Sequence, residues 1–168
     1  RFEQVPGTKL AANGDATVIT QRRRPGQKLR IRVTLTTAGG SRLGPMTVSD
    51  KTRSATRPEL SVAADGTSVA AWWWHSARNG WLPQAATRLP GQARFSAPQT
   101  LSDVGLKAIS AYGLFPIIQV AAGDGGRATV AWGVGSWFGK PASDLMLRST
   151  ADGRIGEATT SKIDVTEL

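Results

Sequence analysis

The segment Pro58-Glu59-Leu60-Ser61-Val62-Ala63-Ala64 decides the fold of this chain, because close copies of it lie on both sides. The earlier copy is Pro6-Gly7-Thr8-Lys9-Leu10-Ala11-Ala12, and the later copy is Pro116-Ile117-Ile118-Gln119-Val120-Ala121-Ala122. The three copies share a proline, three variable residues, a leucine or valine, and two alanines. Repetition at such a period indicates a tandem array of supersecondary units. The chain is therefore interpreted as one repeat domain, residues 1–168, with units 6–57, 58–115 and 116–168.

Each unit has the pattern of four short strands joined by tight turns. Asn13-Gly14, Asp65-Gly66 and residues 123–126 follow the paired alanines, and such turns supply the positive φ that tight hairpins need. Runs rich in β-branched and aromatic residues come next, as at 68–72 and 129–132. No stretch has sustained helical periodicity. The fourth strands are expected at the ends of the units, over residues 45–50, 98–103 and 157–161.

Tandem four-stranded antiparallel meanders are typical of β-propellers. We therefore expect an all-β fold of three four-stranded antiparallel repeats of β-propeller type. Natural propellers have about four to eight blades, so three units predict a partial propeller or half of a dimeric ring. Self-association or additional blades are then expected, because open blade faces and unpaired edges invite association. A β-sandwich is the alternative fold.

The composition excludes several kinds of site. The 168 residues include no cysteine, which excludes disulfides, thiolate zinc sites and cysteine nucleophiles. His75 is the only histidine, so a multi-histidine metal site is excluded. Asp65, Asp124 and Asp152 fall in turns, where aspartate commonly bonds its own backbone. No cofactor, no metal and no catalytic residue is expected from these patterns.

The positive charge lies in the first third of the chain. The formal net charge is +9, and residues 58–168 contribute none of it, because their basic and acidic side chains are equal in number. The segment 28–35 alternates strictly between polar and apolar residues, so its basic side chains stand in a row about 6.6 Å apart. With two preceding arginines, the predicted polyanion patch consists of Arg22, Arg24, Lys28, Arg30 and Arg32. Charge runs usually only solvate a strand, and that interpretation is favoured over anion binding.

An aromatic cluster supplies the second candidate site. Trp72 has a counterpart in Trp132, which predicts a packing role between blades for both residues. Trp73 and Trp74 have no aromatic counterparts in the third unit, and on a strand they face opposite sides. An exposed indole stacks well on a sugar ring or a peptide side chain. The candidate ligand-binding residues are Trp73, Trp74, His75 and Trp81, although interblade packing is favoured over ligand binding for these rings.

The second unit also carries a resemblance to known repeats. Residues 58–67, 69–72, 84–88 and 95–102 together resemble the tandem repeats of β-propeller-like proteins exported by high-GC, actinobacterial-type bacteria. These repeats are distantly similar to sialidase (neuraminidase) repeats. The resemblance implies a propeller fold and an extracellular or cell-surface location. The Asp-box turn of sialidases is degenerate here, since Gly153 comes one place early and Ile155 stands where an aromatic residue is expected.

These observations favour a non-enzymatic exported module that binds glycan or protein ligands, while enzymatic activity stays open. The first alternative is a part of a glycan-directed, sialidase-like hydrolase, and the second is polyanion binding through the basic strand. Specific nucleic-acid binding is not expected, because no aromatic residues interleave with the basic ones. No membrane span is expected either. The longest apolar run, Val69–Trp74, has six residues, and a bilayer needs about twenty.

Overall fold

A computed structural model describes residues 2–103, 105, 114–136, 143–151 and 154–155 of the chain. These residues form twelve β-strands in three four-stranded antiparallel sheets. Within the described ranges, no helix is long and apolar enough to cross a membrane. The expected all-β, four-stranded architecture is therefore confirmed. The sandwich alternative is wrong, because the strands form three separate sheets instead of two.

The strands of each sheet pair in the order in which they follow one another in the chain. Sheet one contains β1 (Phe2–Leu10), β2 (Ala16–Arg23), β3 (Arg30–Thr36) and β4 (Arg42–Thr47). Sheet two contains β5 (Ala55–Val62), β6 (Ser68–Ser76), β7 (Gly80–Arg88) and β8 (Gln99–Thr100). Sheet three contains β9 (Leu114–Gly123), β10 (Arg127–Ser136), β11 (Ser143–Ala151) and β12 (Arg154–Ile155). The strand expected at 157–161 lies outside the described residues.

The repeated prolines lie in the first strand of each sheet. In β1 and β5 the strand register shifts around Pro6 and Pro58, so both prolines lie in bulges. A proline is tolerated there because it has no N–H to give to the sheet. The bulge in β5 is held from sheet one, since Oε1 of Gln21 accepts hydrogen bonds from Thr56 Oγ1 and Arg57 N, both at 3.1 Å.

The hydrophobic core consists of two interfaces between sheets. In the first, Ile19, Ile31 and Val33 of sheet one pack with the Trp72 side of sheet two. In the second, the opposite side of sheet two packs on Val130 and Trp132 of sheet three. Trp72 and Trp132 are 0% and 4% exposed, as expected of rings that pack one sheet on the next. Sheet two is therefore apolar on both faces and lies in the middle of the array.

Candidate functional site

A basic cleft lies on the face of sheet one that points away from sheet two. Its volume is about 520 Å³, within the range of ligand pockets. All five residues of the predicted polyanion patch line it, and Lys51, from the segment between β4 and β5, adds a sixth cation. Among the described residues, none of those lining the cleft is acidic. The structure thus brings the patch together as a concave surface and adds a lysine that strand alternation does not reveal.

Two of these arginines are held by backbone carbonyl groups. The guanidinium of Arg30 donates to the carbonyl oxygens of Arg53 at 2.8 Å, of Leu29 at 3.3 Å, and of Lys51. Arg32 donates from Nη2 to the carbonyl oxygen of Pro45 at 3.2 Å. Carbonyl groups neutralise no charge, so these contacts fix the positions of the guanidinium groups while their positive charge remains.

An acidic residue, Asp50, directly precedes Lys51 in the chain. Hydrogen bonds from the hydroxyl and the backbone N–H of Thr52 lower the pKa of Asp50 from its ordinary value, and the charges of Arg30 and Arg53 lower it further. Desolvation opposes this shift. Asp50 is therefore a carboxylate next to Lys51 of the basic cleft, and its hydrogen bonds come from Thr52 in the same loop.

The predicted aromatic site is divided between the two faces of sheet two. His75 and Trp81 are cross-strand partners, and their rings make an edge-to-face contact with centroids 5.0 Å apart. Both are partly buried near the hairpin between β6 and β7. Trp74 is also partly buried, but it packs on the opposite face, against the first interface. The structure therefore places His75 and Trp81 in contact on the face of sheet two that also carries Trp73, and it places Trp74 on the other face.

Trp73 does not fit the predicted ligand-binding role. Its side chain is 2% exposed and lies in the second interface, between sheets two and three. A ring enclosed on both sides has no face left for a sugar to stack on. The adjacent small residues Ala71 and Ala85 of sheet two leave the space that this indole fills. The interblade packing role applies to Trp73.

Sequence analysis missed a carboxyl group on the first strand of sheet two. Glu59 is partly buried on β5, and the first strands β1, β5 and β9 lie next to one another. Burial raises the pKa of Glu59 from its ordinary value, and the positive charge of Lys9 on β1 opposes that shift. Alignment of the repeats could have found this residue, because Glu59 is a carboxylic acid at the position where the other two units have Gly7 and Ile117.

The turn residues Asp65 and Asp124 form hydrogen bonds within and between hairpin turns. The Asp65 carboxylate accepts hydrogen bonds from Thr67 N at 2.7 Å, Thr67 Oγ1 at 3.0 Å and Gly125 N at 2.8 Å. Asp65 N in turn donates to Oδ1 of Asp124 at 3.0 Å. These bonds join the hairpin turns of sheets two and three. Within the described ranges, no group of three histidine or carboxylate side chains is placed to hold a metal ion.

Three successive four-stranded meanders, packed face to face with their first strands adjacent, define a β-propeller fold. No protein-family model matches the chain, and no curated protein matches its sequence. Solved structures do match its fold. An endo-arabinase from Bacteroides thetaiotaomicron is similar with a TM-score of 0.54 at 11% identity, over 94% of this chain and 60% of the enzyme.

Two further glycosidases are similar in fold. The Hadza microbial sialidase has a TM-score of 0.58 at 13% identity, over 93% of this chain and 36% of that protein. The α-L-arabinanase of Penicillium chrysogenum has a TM-score of 0.53 at 15% identity, over 95% of this chain and 50% of that protein. This chain therefore spans between about a third and three fifths of the structures that it matches. Identities this low establish the fold alone.

These similarities confirm the propeller type of the repeats and their likeness to sialidase-type proteins. They also correct the functional prediction. The prediction of a non-enzymatic binding module is wrong, because the similar structures are glycosidases and favour the hydrolase alternative. A glycosidase site is in general assembled in space from isolated carboxyl groups, which leave no local motif, so sequence patterns alone do not reveal one.

Proposed function

We propose that this chain is part of a glycan-directed hydrolase of the β-propeller type. The observation that carries the proposal is the extent of the fold match, because at least 93% of the chain is covered in each of the three glycosidases. Fold likeness by itself is an analogy, so the reaction must be argued from side chains. Glycoside hydrolysis needs a carboxylic acid that stays protonated near its working pH and donates to the leaving oxygen.

Glu59 is the candidate for this general acid. Burial raises its pKa, which is the direction that a proton donor needs. It lies on β5, between the first strands of the two neighbouring sheets. The mechanism also requires a second carboxylate about 5 to 9.5 Å away. The chain spans only part of the similar enzymes, so the proposal assigns the acid alone.

His75 and Trp81 are proposed to contact the glycan. Their edge-to-face pair is only partly buried, and a ring edge or face at a hairpin is available to a sugar. Substituting Trp81 by alanine is then expected to raise KM several-fold with little change in kcat, since stacking binds substrate and transition state alike. An unchanged KM would contradict this assignment.

The experiment is an activity screen with a matched carboxyl variant. The chain is assayed with arabinan, chromogenic arabinosides and sialosides, and a wider panel of chromogenic glycosides. Glu59→Gln keeps the shape of the side chain and removes the acid, so kcat is expected to fall at least about 100-fold. Asp103→Asn, at an exposed position, is the control and should retain activity. Full activity of Glu59→Gln overturns the proposal, and so does the absence of turnover with every substrate in the whole protein of which this chain is part.

We also propose that the protein is exported and that a second copy covers the open face of sheet three. Export is supported by the resemblance of the repeats to those of exported proteins. Among the described side chains, the face of sheet three that points away from sheet two includes the small residues Ala121 and Ala131, which allow close approach of another surface. Light scattering after gel filtration should give twice the chain mass of 17.8 kDa. A stable monomer would contradict the association, and retention inside the producing cells would contradict export.

A further inference from the structure

The outer face of sheet one differs in chemistry from the matching face of sheet two. The β2–β3 and β6–β7 pairs have the same register relative to their hairpin turns. Thr20 and Arg32 are therefore paired in sheet one where Trp72 and Gln84 are paired in sheet two. The Trp72 face of sheet two is buried against sheet one. The corresponding face of sheet one carries a threonine and an arginine instead.

The next pair along the strands shows the same replacement. Arg22 and Arg30 are cross-strand partners in sheet one, at the positions that Trp74 and Leu82 occupy in sheet two. An apolar blade packed on this face would remove guanidinium groups from water without supplying opposite charges, which is costly. The face is therefore suited to water and to anions, and poorly suited to the apolar contact that joins the sheets.

The side chains that line the cleft are charged for an anionic ligand. Arg24, Lys28 and Lys51 are exposed at its rim, while Arg22, Arg30 and Arg32 are partly buried in it. Asp50, the residue before Lys51, is engaged by Thr52. In the strand register, Glu3 is the cross-strand partner of Arg22. Among the described residues that line the cleft, six are cationic and none is acidic, so the surface is positive.

The guanidinium of Arg30 is already held in place within this positive surface. Its guanidinium is bonded to the carbonyl groups of Lys51 and Arg53, both in the segment between β4 and β5, so its position is set before any ligand arrives. A side chain already held in place loses little conformational entropy on binding. An arginine fixed in this way presents a charge to a carboxylate or sulfate without first having to be ordered.

We propose that this cleft binds an anionic polysaccharide through its carboxylate or sulfate groups. A nucleic acid fits less well, because among the described residues the cleft is lined by no aromatic side chain on which a base would stack. The binding surface is on the outer face of sheet one, whereas Glu59 is on the first strand of sheet two. The proposal therefore holds whether or not the chain hydrolyses glycans.

The test measures affinity for defined polymers as salt is varied. The probes are dextran sulfate, polygalacturonate, neutral dextran, single-stranded oligo(dT) and duplex DNA. We expect binding to at least one of the two anionic polysaccharides, and none to neutral dextran. Affinity should fall at least about tenfold between about 50 and about 200 mM salt, as for other ligands held by several ionic contacts.

A pair of charge-reversal variants locates the site. Lys28→Glu with Lys51→Glu changes two exposed residues of the cleft, and affinity should fall at least about tenfold. Arg78→Glu with Arg94→Glu makes the same change in net charge at exposed positions in the loops of sheet two, and affinity should stay within about twofold. Circular dichroism confirms that each variant is folded.

Several results would overturn the proposal. Binding to neutral dextran as tight as to dextran sulfate would show that charge is not recognised. Equal losses in the two double variants would show that only net charge matters, and no loss in the cleft variant would place the site elsewhere. Tighter binding of oligo(dT) or duplex DNA than of both polysaccharides would assign the cleft to nucleic acid instead.

Discussion

The indole Nε1–H of Trp72 donates a hydrogen bond to Oε1 of Gln84 at 3.1 Å, inside the interface between sheets one and two. Gln84 continues the connection, since its Nε2 donates to Oγ1 of Thr100 at 3.1 Å. The neighbouring Trp73 is also buried, but its Nε1–H has no acceptor among the described residues. The two adjacent tryptophans therefore fill opposite interfaces. The indole N–H of Trp72 has a hydrogen-bond acceptor, whereas that of Trp73 has none among the described residues.

This difference predicts unequal effects of the same substitution. Trp72→Phe removes ring volume and leaves the buried Oε1 of Gln84 without its donor, which costs about 1 to 3 kcal/mol beyond the volume loss. Trp73→Phe removes similar volume together with an indole N–H that lacks a described acceptor. We expect Trp72→Phe to be the more destabilising by at least about 1 kcal/mol in urea unfolding. Equal losses would contradict the role of the Gln84 bond.

The Asp65 turn network predicts acid sensitivity. Desolvation raises the pKa of Asp65, but hydrogen bonds from Gly125 and Thr67 together outweigh it, so the pKa lies below its ordinary value. A lowered folded-state pKa stabilises the protein above the unfolded pKa of about 4, and that stability is lost as the pH falls through the folded pKa.

Asp65→Asn tests this dependence. It should cost about 1 kcal/mol at neutral pH, because one of the two accepting oxygens is lost. The gap to the wild type should close as the pH falls below the unfolded pKa of about 4 and through the lower folded pKa. Asp103→Asn, at an exposed position, serves as the control. A gap that is independent of pH would show that the charge of Asp65 is not involved.

Glu59 predicts the opposite dependence. Burial raises its folded-state pKa, so its contribution to stability is most favourable below the unfolded pKa and is lost as the pH rises through the folded value. Glu59→Gln is therefore expected to stabilise the fold at neutral pH, by less than about 1 kcal/mol because water still reaches the carboxyl. The gain should disappear near about pH 4. Destabilisation at neutral pH, measured by urea unfolding, would contradict this expectation.

Gly44 predicts a steric requirement within β4. Its φ is 103°, and a Cβ atom there would lie 2.8 Å from the carbonyl oxygen of Val33 and 2.9 Å from the backbone nitrogen of Met46. Gly91 also has a positive φ, of 74°, but a Cβ would meet nothing within 4 Å. Gly91→Ala should cost about 1 kcal/mol and Gly44→Ala clearly more, since backbone atoms must move. Similar thermal unfolding midpoints would argue against the close approach at Gly44.

The sequence by itself determined the strand architecture of this protein. Glycine turns such as Asn13-Gly14 and Asp65-Gly66 mark where strands must reverse, and strict alternation over 28–35 separates two faces of a strand. Both signals are local, because they depend only on backbone conformation and on the two-residue period of a strand. The buried pattern of β3, with Ile31 and Val33 inward, follows from that period alone.

The sites were decided by tertiary structure. Alternation places Trp73 and Trp74 on opposite faces, but burial of Trp73 depends on a third sheet that packs against its side. Lys51 joins the basic cleft because the segment after β4 folds back toward β3. The raised pKa of Glu59 arises from desolvation by neighbouring chain segments. Burial and electrostatic environment depend on residues distant in sequence, so local patterns predict which side chains share a face and not what covers that face.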